Sequence, residues 1–245
     1  MHALSAREIV QVWEAGQSQH PIDRALALLA CGSPELSVPD LVTLTVGQRD
    51  AYLLTLRELT FGSKLNSVAA CPQCREQLEF DLDVPDIRVA DLERPIQPEY
   101  ALTTEGLNLR FRLPNSQDLA AIVGSKDVAI AAATLVQRCV LAVDRGDKSE
   151  IDEPLPQSAI AALAEYMTEC DPQAEIYLAL TCPACGHAWS VLFDIVDFFW
   201  TELSAEAQRL LQEVHLLARF YGWSEADILS MSAVRRQFYL NLIGS

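Results

Sequence analysis

Two pairs of cysteines are the residues of this chain whose types and spacing could do chemistry. They occur in residues 71–74 (CPQC) and 182–185 (CPAC). Two cysteines separated by two residues place both sulfur atoms on one side of a tight turn, where they can bind the same metal ion. Structural zinc sites take four tetrahedral ligands, and two such turns provide four thiolates. We therefore predict one structural zinc site, with the ligands Cys71, Cys74, Cys182 and Cys185.

Other kinds of site use the same motif. A rubredoxin-like iron site has similar turns, but in a shorter and more aromatic segment. A redox-active dithiol is a third alternative, although the chain lacks the alternation of strands and helices that is typical of thioredoxin-like proteins. Zinc is the prediction that the paired motifs favour. Four bound thiolates would leave no open position for a substrate, so the site would be structural and not catalytic.

The remaining cysteines and the nearby histidines have simpler interpretations. Cys31, Cys139 and Cys170 lie in apolar, helical contexts and are expected to be buried as small hydrophobic residues. His187 follows the second cysteine pair and could replace a ligand, but with four cysteines available we interpret it as a surface histidine. His215 is expected to be a packed or half-exposed residue of a helix.

The segments around the cysteine pairs alternate apolar and polar residues, which is typical of strands. Residues 68–70 and 78–82 flank the first pair, and residues 176–180 and 189–193 flank the second. Two similar hairpins predict one four-stranded zinc ribbon. Because 107 residues lie between Cys74 and Cys182, the ribbon must be discontinuous in the chain. That insertion is expected to hold a strand at 107–113 and helices at 117–122, at 127–143 and up to Cys170.

The rest of the chain has the apolar periodicity of helices. Helices are expected from Ser5 to Gly16, from Pro21, and up to Phe61, and the longest should run from Asp197 to Gly222. The predicted fold class is α+β, mainly α, with helical domains around the discontinuous ribbon and a helical insertion. The predicted domains are an N-terminal helical region (1–66), the two ribbon halves (67–83 and 174–195), the inserted subdomain (84–173) and a C-terminal helical region (196–245).

Composition and charge limit the partners and the location. The chain has 18 Lys and Arg against 34 Asp and Glu, a net charge of -16, and no basic patch that would attract a phosphate backbone. Nucleic acid is therefore an unfavourable partner. The N-terminal residues do not have the pattern of a secretory signal, and no apolar run approaches the roughly 20 residues of a membrane span. We expect a cytoplasmic protein without a membrane span.

The sequence contains none of the usual catalytic patterns. It has no His-Glu-x-x-His, no Gly-x-Ser-x-Gly, no glycine-rich phosphate loop and no paired-carboxylate cluster. We expect no enzymatic activity, no catalytic residues and no small-molecule substrate. The aromatic runs at 198–200 and 220–223 could bind a partner, with core packing as the simpler alternative.

Several stretches occur in a fixed order over nearly the whole chain: residues 13–16, 24–29, 46–50, 53–54, 56–57, 61–62, both cysteine pairs, 111–114, 118–119, 213–218, 221–225, 228–229 and 235–236. Together they resemble the baseplate proteins of contractile phage tails and phage-tail-like injection particles. The resemblance implies a non-enzymatic structural or assembly protein of the baseplate or hub. The implied partners are other tail proteins, namely hub, spike, tube or tape-measure components.

An alternative function from another class is a zinc-ribbon regulatory module that binds nucleic acid or transcription proteins. The net charge of -16 argues against it. The resemblance implies a second location besides the cytoplasm, namely the assembled tail particle into which such a protein could be incorporated.

Overall fold

The computed structural model describes residues 1–89, 97–144 and 155–243, and it is mainly helical. The α-helices are α1 (Ala6–Gly16), α2 (Pro21–Gly32), α3 (Val38–Thr43), α4 (Val46–Phe61), α5 (Val84–Ile87), α6 (Ser116–Ile122), α7 (Val128–Cys139), α8 (Gln157–Cys170), α9 (Ile195–Tyr221), α10 (Glu225–Ser230) and α11 (Ala233–Ile243). The strands are β1 (Lys64–Ala70), β2 (Gln77–Asp83), β3 (Tyr100–Thr104), β4 (Leu107–Phe111), β5 (Val140–Asp144), β6 (Ile176–Thr181) and β7 (Ala188–Phe193). Within these residues, no helix has both the length and the apolar character needed to cross a membrane.

The strands form three small antiparallel sheets. The hairpins β1-β2 and β6-β7 are each a sheet of their own, and β3, β4 and β5 form the third in that order. Both predicted hairpins are confirmed, together with their strands. The prediction of one four-stranded ribbon is corrected: in the described residues β1 pairs with β2 and β6 with β7, and no ladder joins one hairpin to the other. The hairpins approach each other through the cysteines at their tips.

The helix predicted at 127–143 is too long at its C-terminal end. Helix α7 ends at Cys139, and residues 140–144 form β5, which pairs antiparallel with β4. The sequence Val140-Leu141-Ala142-Val143 contains β-branched residues that suit a strand. As a strand it pairs its backbone with β4 and places Val143 in the buried core. The short helix α3 was not predicted from the sequence.

The described chain divides into two compact units. One contains Met1–Ser37, Leu53–Gly62 and Asp194–Ser245, and the other contains Val38–Tyr52 and Ser63–Phe193. Helix α4 is therefore shared, because its first turns belong to the second unit and its later turns to the first. The domain bounds predicted from the sequence follow a different division and stay a prediction.

The first unit is a helical cluster in which α9 packs against α1 and α2. Its core is apolar and fully buried at Leu28, Leu29, Leu53, Leu56, Phe199, Leu203 and Leu210. Arg57 lies in this core with 2% of its surface exposed. Its guanidinium donates to both carboxylate oxygens of Glu202, at 2.8 and 2.6 Å, and to the carbonyl of Gly62. A buried charge is tolerated here because its hydrogen-bond donors have acceptors.

The second unit has its core between the three-stranded sheet and the helices α7 and α8. Buried members of this cluster are Leu107, Leu109, Phe111, Leu113, Val136, Cys139, Val143, Ala159, Leu163 and Met167. The alternation of β4 places its leucines and Phe111 on the core side. The rings of Tyr100 and Tyr166 pack on Phe111, with ring centroids 5.6 and 5.9 Å away.

A buried carboxylate at Asp118 holds the start of α6 to the end of α7. It accepts two hydrogen bonds from Arg112, at 2.5 and 2.9 Å, one from Arg138 at 3.0 Å and one from the backbone N–H of Asn115 at 3.1 Å. Burial alone would raise its pKa, but the hydrogen bonds from Arg112, then Asn115 and Arg138, lower it below the ordinary value. The charged form of Asp118 is therefore the one that the native structure stabilises.

A second buried carboxylate, Asp171, accepts a hydrogen bond at 2.9 Å from the backbone N–H of Gly47 in the first turn of α4. The first backbone N–H groups of a helix have no partner within the helix, so Asp171 supplies one from a distant part of the chain. Burial raises the pKa of this carboxyl, against the lowering effect of the Gly47 hydrogen bond. A β-carbon on residue 47 would lie 1.9 Å from Oδ1 of Asp171.

We expect Gly47→Ala to destabilise the protein by roughly 1–3 kcal/mol, because the added methyl group overlaps the Asp171 carboxylate. A loss of stability would be informative, because replacing glycine by alanine at an unhindered helix position usually stabilises a protein by about 1 kcal/mol. Urea denaturation would measure the change in the free energy of unfolding. As a control, the same substitution in an Asp171→Ala background should cost less. An equal cost in both backgrounds would contradict the proposed overlap.

We expect Asp118→Asn to destabilise the protein by about 1–3 kcal/mol at neutral pH, because it removes the charge that two arginines bind. A lowered native pKa contributes stability that is present above the ordinary carboxyl pKa and is lost as the pH falls through the native pKa. The difference between wild type and variant should therefore shrink with acidification, as measured by denaturant unfolding at several pH values. The control Glu99→Gln removes a surface partner of Arg110 and should have little effect. A pH-independent cost of Asp118→Asn would contradict this account.

Candidate metal centre

The first cysteine pair lies at the tip of the hairpin β1-β2. The backbone N–H of Cys71 donates to the carbonyl of Glu76 at 2.8 Å, and the N–H of Arg75 donates to the carbonyl of Cys71 at 2.9 Å. These two bonds close the turn. Arg75 has a φ of 64°, a left-handed conformation that favours glycine. The turn geometry therefore forms in spite of the residue type at this position.

The second pair has the same turn at the tip of β6-β7. The backbone N–H of Cys182 donates to the carbonyl of His187 at 2.8 Å, and the backbone N–H of Gly186 donates to the carbonyl of Cys182 at 2.9 Å. Gly186 has a φ of 73°, a left-handed conformation that glycine adopts without strain. In both turns the first cysteine is buried and the second is exposed. The two turns are therefore equivalent in hydrogen bonding, in backbone conformation and in burial.

The structure brings the four predicted ligands together. All four sulfur atoms lie within 4.8 Å of one another. Two of these separations join one hairpin to the other: Cys71 Sγ to Cys185 Sγ is 3.7 Å, and Cys74 Sγ to Cys182 Sγ is 3.5 Å. A zinc ion bound to four sulfurs at 2.3 Å in a tetrahedron separates them by about 3.8 Å. The sulfur positions thus fit one tetrahedral metal ion with thiolate ligands.

The pKa values of Cys71, Cys74 and Cys185 also favour a cation. The pKa of Cys71 is lowered to about 7; burial opposes ionisation, but the backbone N–H groups of Cys74 and Gln73 stabilise its thiolate. The pKa of Cys74 is raised to about 12: a backbone hydrogen bond at Glu76 favours its thiolate, but burial and the neighbouring sulfurs oppose it. The pKa of Cys185 is also raised: the backbone hydrogen bond at His187 and the contact with Cys74 favour its thiolate, but burial and the sulfurs of Cys182 and Cys71 outweigh them. One thiolate is therefore stable in this group, but four negative charges require a bound cation.

The other cysteines lie outside this group. Cys31 is half-buried in α2, Cys139 is fully buried at the end of α7, and Cys170 is half-buried at the end of α8. Burial raises the pKa of Cys139 to about 12, which keeps it a neutral thiol. The ring of His187 packs parallel to that of Trp189, with centroids 6.0 Å apart.

The buried carboxylates Asp118 and Asp171 were not singled out in the sequence as important residues. Their partners lie elsewhere in the chain: Arg112 follows β4, Arg138 is in α7 and Gly47 is in α4. The sequence spacing between these carboxylates and their partners has no helical or strand period. Asn115 three residues before Asp118 is a capping-box pattern, and it is the one local signal that indicates the first of them. Nothing in the local sequence indicates the contact between Gly47 and Asp171.

Most of the chain matches the model of one known protein family. A family model described as T4 bacteriophage base plate protein matches residues 28–200, more than half of the chain and including both cysteine turns. No curated protein and no solved structure matches the chain. The resemblance to baseplate proteins that the sequence indicated is confirmed. The chain belongs to the T4 bacteriophage base plate protein family.

Proposed function

We propose that this protein is a non-enzymatic structural or assembly protein of the baseplate, or baseplate hub, of a contractile tail or a phage-tail-like injection particle. The family match over residues 28–200 is the observation that supports this function most directly. The cysteine group adds support, because a metal ion with four protein ligands has no position left for a substrate. The protein would act by holding surfaces for other tail proteins in a fixed arrangement.

The metal of the site is, in this proposal, a structural zinc ion with Cys71, Cys74, Cys182 and Cys185 as its ligands. The separations of 3.5 and 3.7 Å between bridging sulfurs support tetrahedral coordination. Four thiolates are a common ligand set of structural zinc. Bound zinc would provide the positive charge that stabilises four neighbouring thiolates.

Zinc would also explain how two separate hairpins stay together. Each hairpin is hydrogen-bonded within itself, and the sulfur contacts join their tips. The first hairpin precedes the three-stranded sheet in the chain and the second follows it, so a metal ion at the tips closes the chain segment between them. A metal ion that binds this site only in the folded chain would stabilise the folded state by its binding free energy.

We expect the purified protein to contain one zinc ion per chain and Cys74→Ser to lose it, together with a large decrease in thermal stability. Elemental analysis of the purified protein measures the metal and distinguishes zinc from iron. Cys31→Ser is the matched control, because Cys31 is half-buried outside the group and its substitution should leave the metal content unchanged. A folded, soluble wild-type protein without metal would contradict the zinc proposal.

We expect the protein to be required for assembly of complete tail particles. The test deletes the gene for this protein and complements the deletion with a gene for the wild type, for Cys74→Ser or for Cys31→Ser. Wild type and Cys31→Ser should restore full-length particles, whereas Cys74→Ser should not. Normal particles in the deletion strain would contradict the proposed function. Composition analysis of the particles would show whether the protein stays in them, and a salt-dependent complex with DNA would instead support the regulatory alternative.

A further inference from the structure

Helix α11 presents an apolar stripe to the surface. Val234, Phe238 and Leu242 are 82, 60 and 53% exposed. They are spaced four residues apart, so at 100° per residue they lie on one face of the helix over a length of about 12 Å. We call these three side chains the α11 stripe. Helix α11 lies outside residues 28–200, so the family match does not describe it.

The opposite face of α11 attaches the helix to its own unit. Arg236 is 4% exposed; its Nε donates to Glu213 of α9 at 2.8 Å, and its Nη1 donates to the carbonyl of Met231 at 2.6 Å. Tyr239 packs on the rings of Tyr221 and Trp223, with centroids 5.5 and 4.7 Å away. Since Arg236 and Val234 differ by about 200° around the helix axis, this attachment holds the stripe outward.

The two edges of the stripe differ in chemistry. Arg235 is exposed along one edge, and its guanidinium lies over the ring of Tyr239, 5.8 Å from the centroid. On the other edge Gln237 donates a side-chain hydrogen bond to Asn241 at 2.9 Å. Helix α11 contains no acidic residue, in a chain whose net charge is -16. The stripe is therefore flanked by a positive charge on one side and by neutral polar groups on the other.

These features define the partner that would fit. A stripe of three apolar side chains at helical spacing matches the apolar face of another amphipathic helix. The charge at Arg235 favours a partner helix with a Glu or Asp beside its apolar face, and it disfavours one with Lys or Arg there. A contact between the α11 helices of two copies fits poorly, because α11 offers no acidic residue to Arg235.

We propose that the α11 stripe is a docking surface for an amphipathic helix of another protein, with acidic residues along the edge that meets Arg235. The contact is small, since it spans about two helical turns. It would act as one of several contacts in a larger assembly. The proposal depends neither on the metal nor on the baseplate function.

The test uses two synthetic peptides constrained as helices by a side-chain staple, because short helices are only marginally stable in water. Both have leucines at positions i, i+4 and i+7, and they differ only in having glutamates or lysines beside that face. Fluorescence anisotropy with the full chain at an ionic strength of about 0.15 M measures binding. We expect the glutamate peptide to bind the wild type at least about tenfold more tightly than the lysine peptide.

Three variants of the chain make the test specific. Phe238→Asp should abolish binding, while Val128→Asp, at an exposed valine of α7, should leave it unchanged. Arg235→Glu should reverse the preference and bind the lysine peptide, which also shows that this variant is folded. Absence of binding by the glutamate peptide, a wild-type preference for the lysine peptide, or binding that persists in Phe238→Asp would overturn the proposal. A dimer in sedimentation velocity that Phe238→Asp abolishes would also overturn it, because the occupant would then be a second copy.

Discussion

Four sulfur atoms within 4.8 Å of one another constrain how the two hairpins of the second unit meet. Thiols so close cannot all ionise without a cation, and neutral thiols would give two hairpin tips only weak hydrogen bonds to each other. The two turns meet this constraint in the same way. In each, a backbone hydrogen bond favours a cysteine thiolate, and one cysteine is buried while the other is exposed. Two equivalent turns from distant segments thus offer the four thiolates that a shared tetrahedral ion would take.

Local sequence signals were sufficient for the features that depend on neighbouring residues. The cysteine spacing identified both turns, the alternation of residues 78–82 and 189–193 identified their strands, and Gly222 identified the end of α9, where its φ is 69°. Local sequence signals failed where contact with a distant segment determines the structure. Residues 140–143 continue an apolar run and were predicted as helix, but they lie in β5, which pairs with β4. The strands of the two hairpins were predicted to form one ribbon, although in the described residues each hairpin forms a sheet of its own.

Buried charges show the same limit of sequence interpretation. Arg57, Asp118 and Asp171 look like ordinary surface residues in the sequence, yet each is buried against a partner from another part of the chain. Their partners determine their burial, and no period in the sequence relates the members of each pair. The converse holds for Phe238, which looks like a core residue and is exposed. At these four positions, therefore, burial does not follow the polarity of the residue.

The order of the two cysteine turns along the chain also affects how the protein is made. Cys74 leaves the ribosome 108 residues before Cys182, and Cys71 leaves earlier still. At about 5–20 residues per second, translation of that segment takes on the order of ten seconds. During this interval the first turn has only two of the four sulfurs, and the segment between the two turns emerges before its ends can be joined. Because the group of four sulfurs is complete only after Cys185 has emerged, loading of the proposed zinc ion would be a late event in the biosynthesis of this protein.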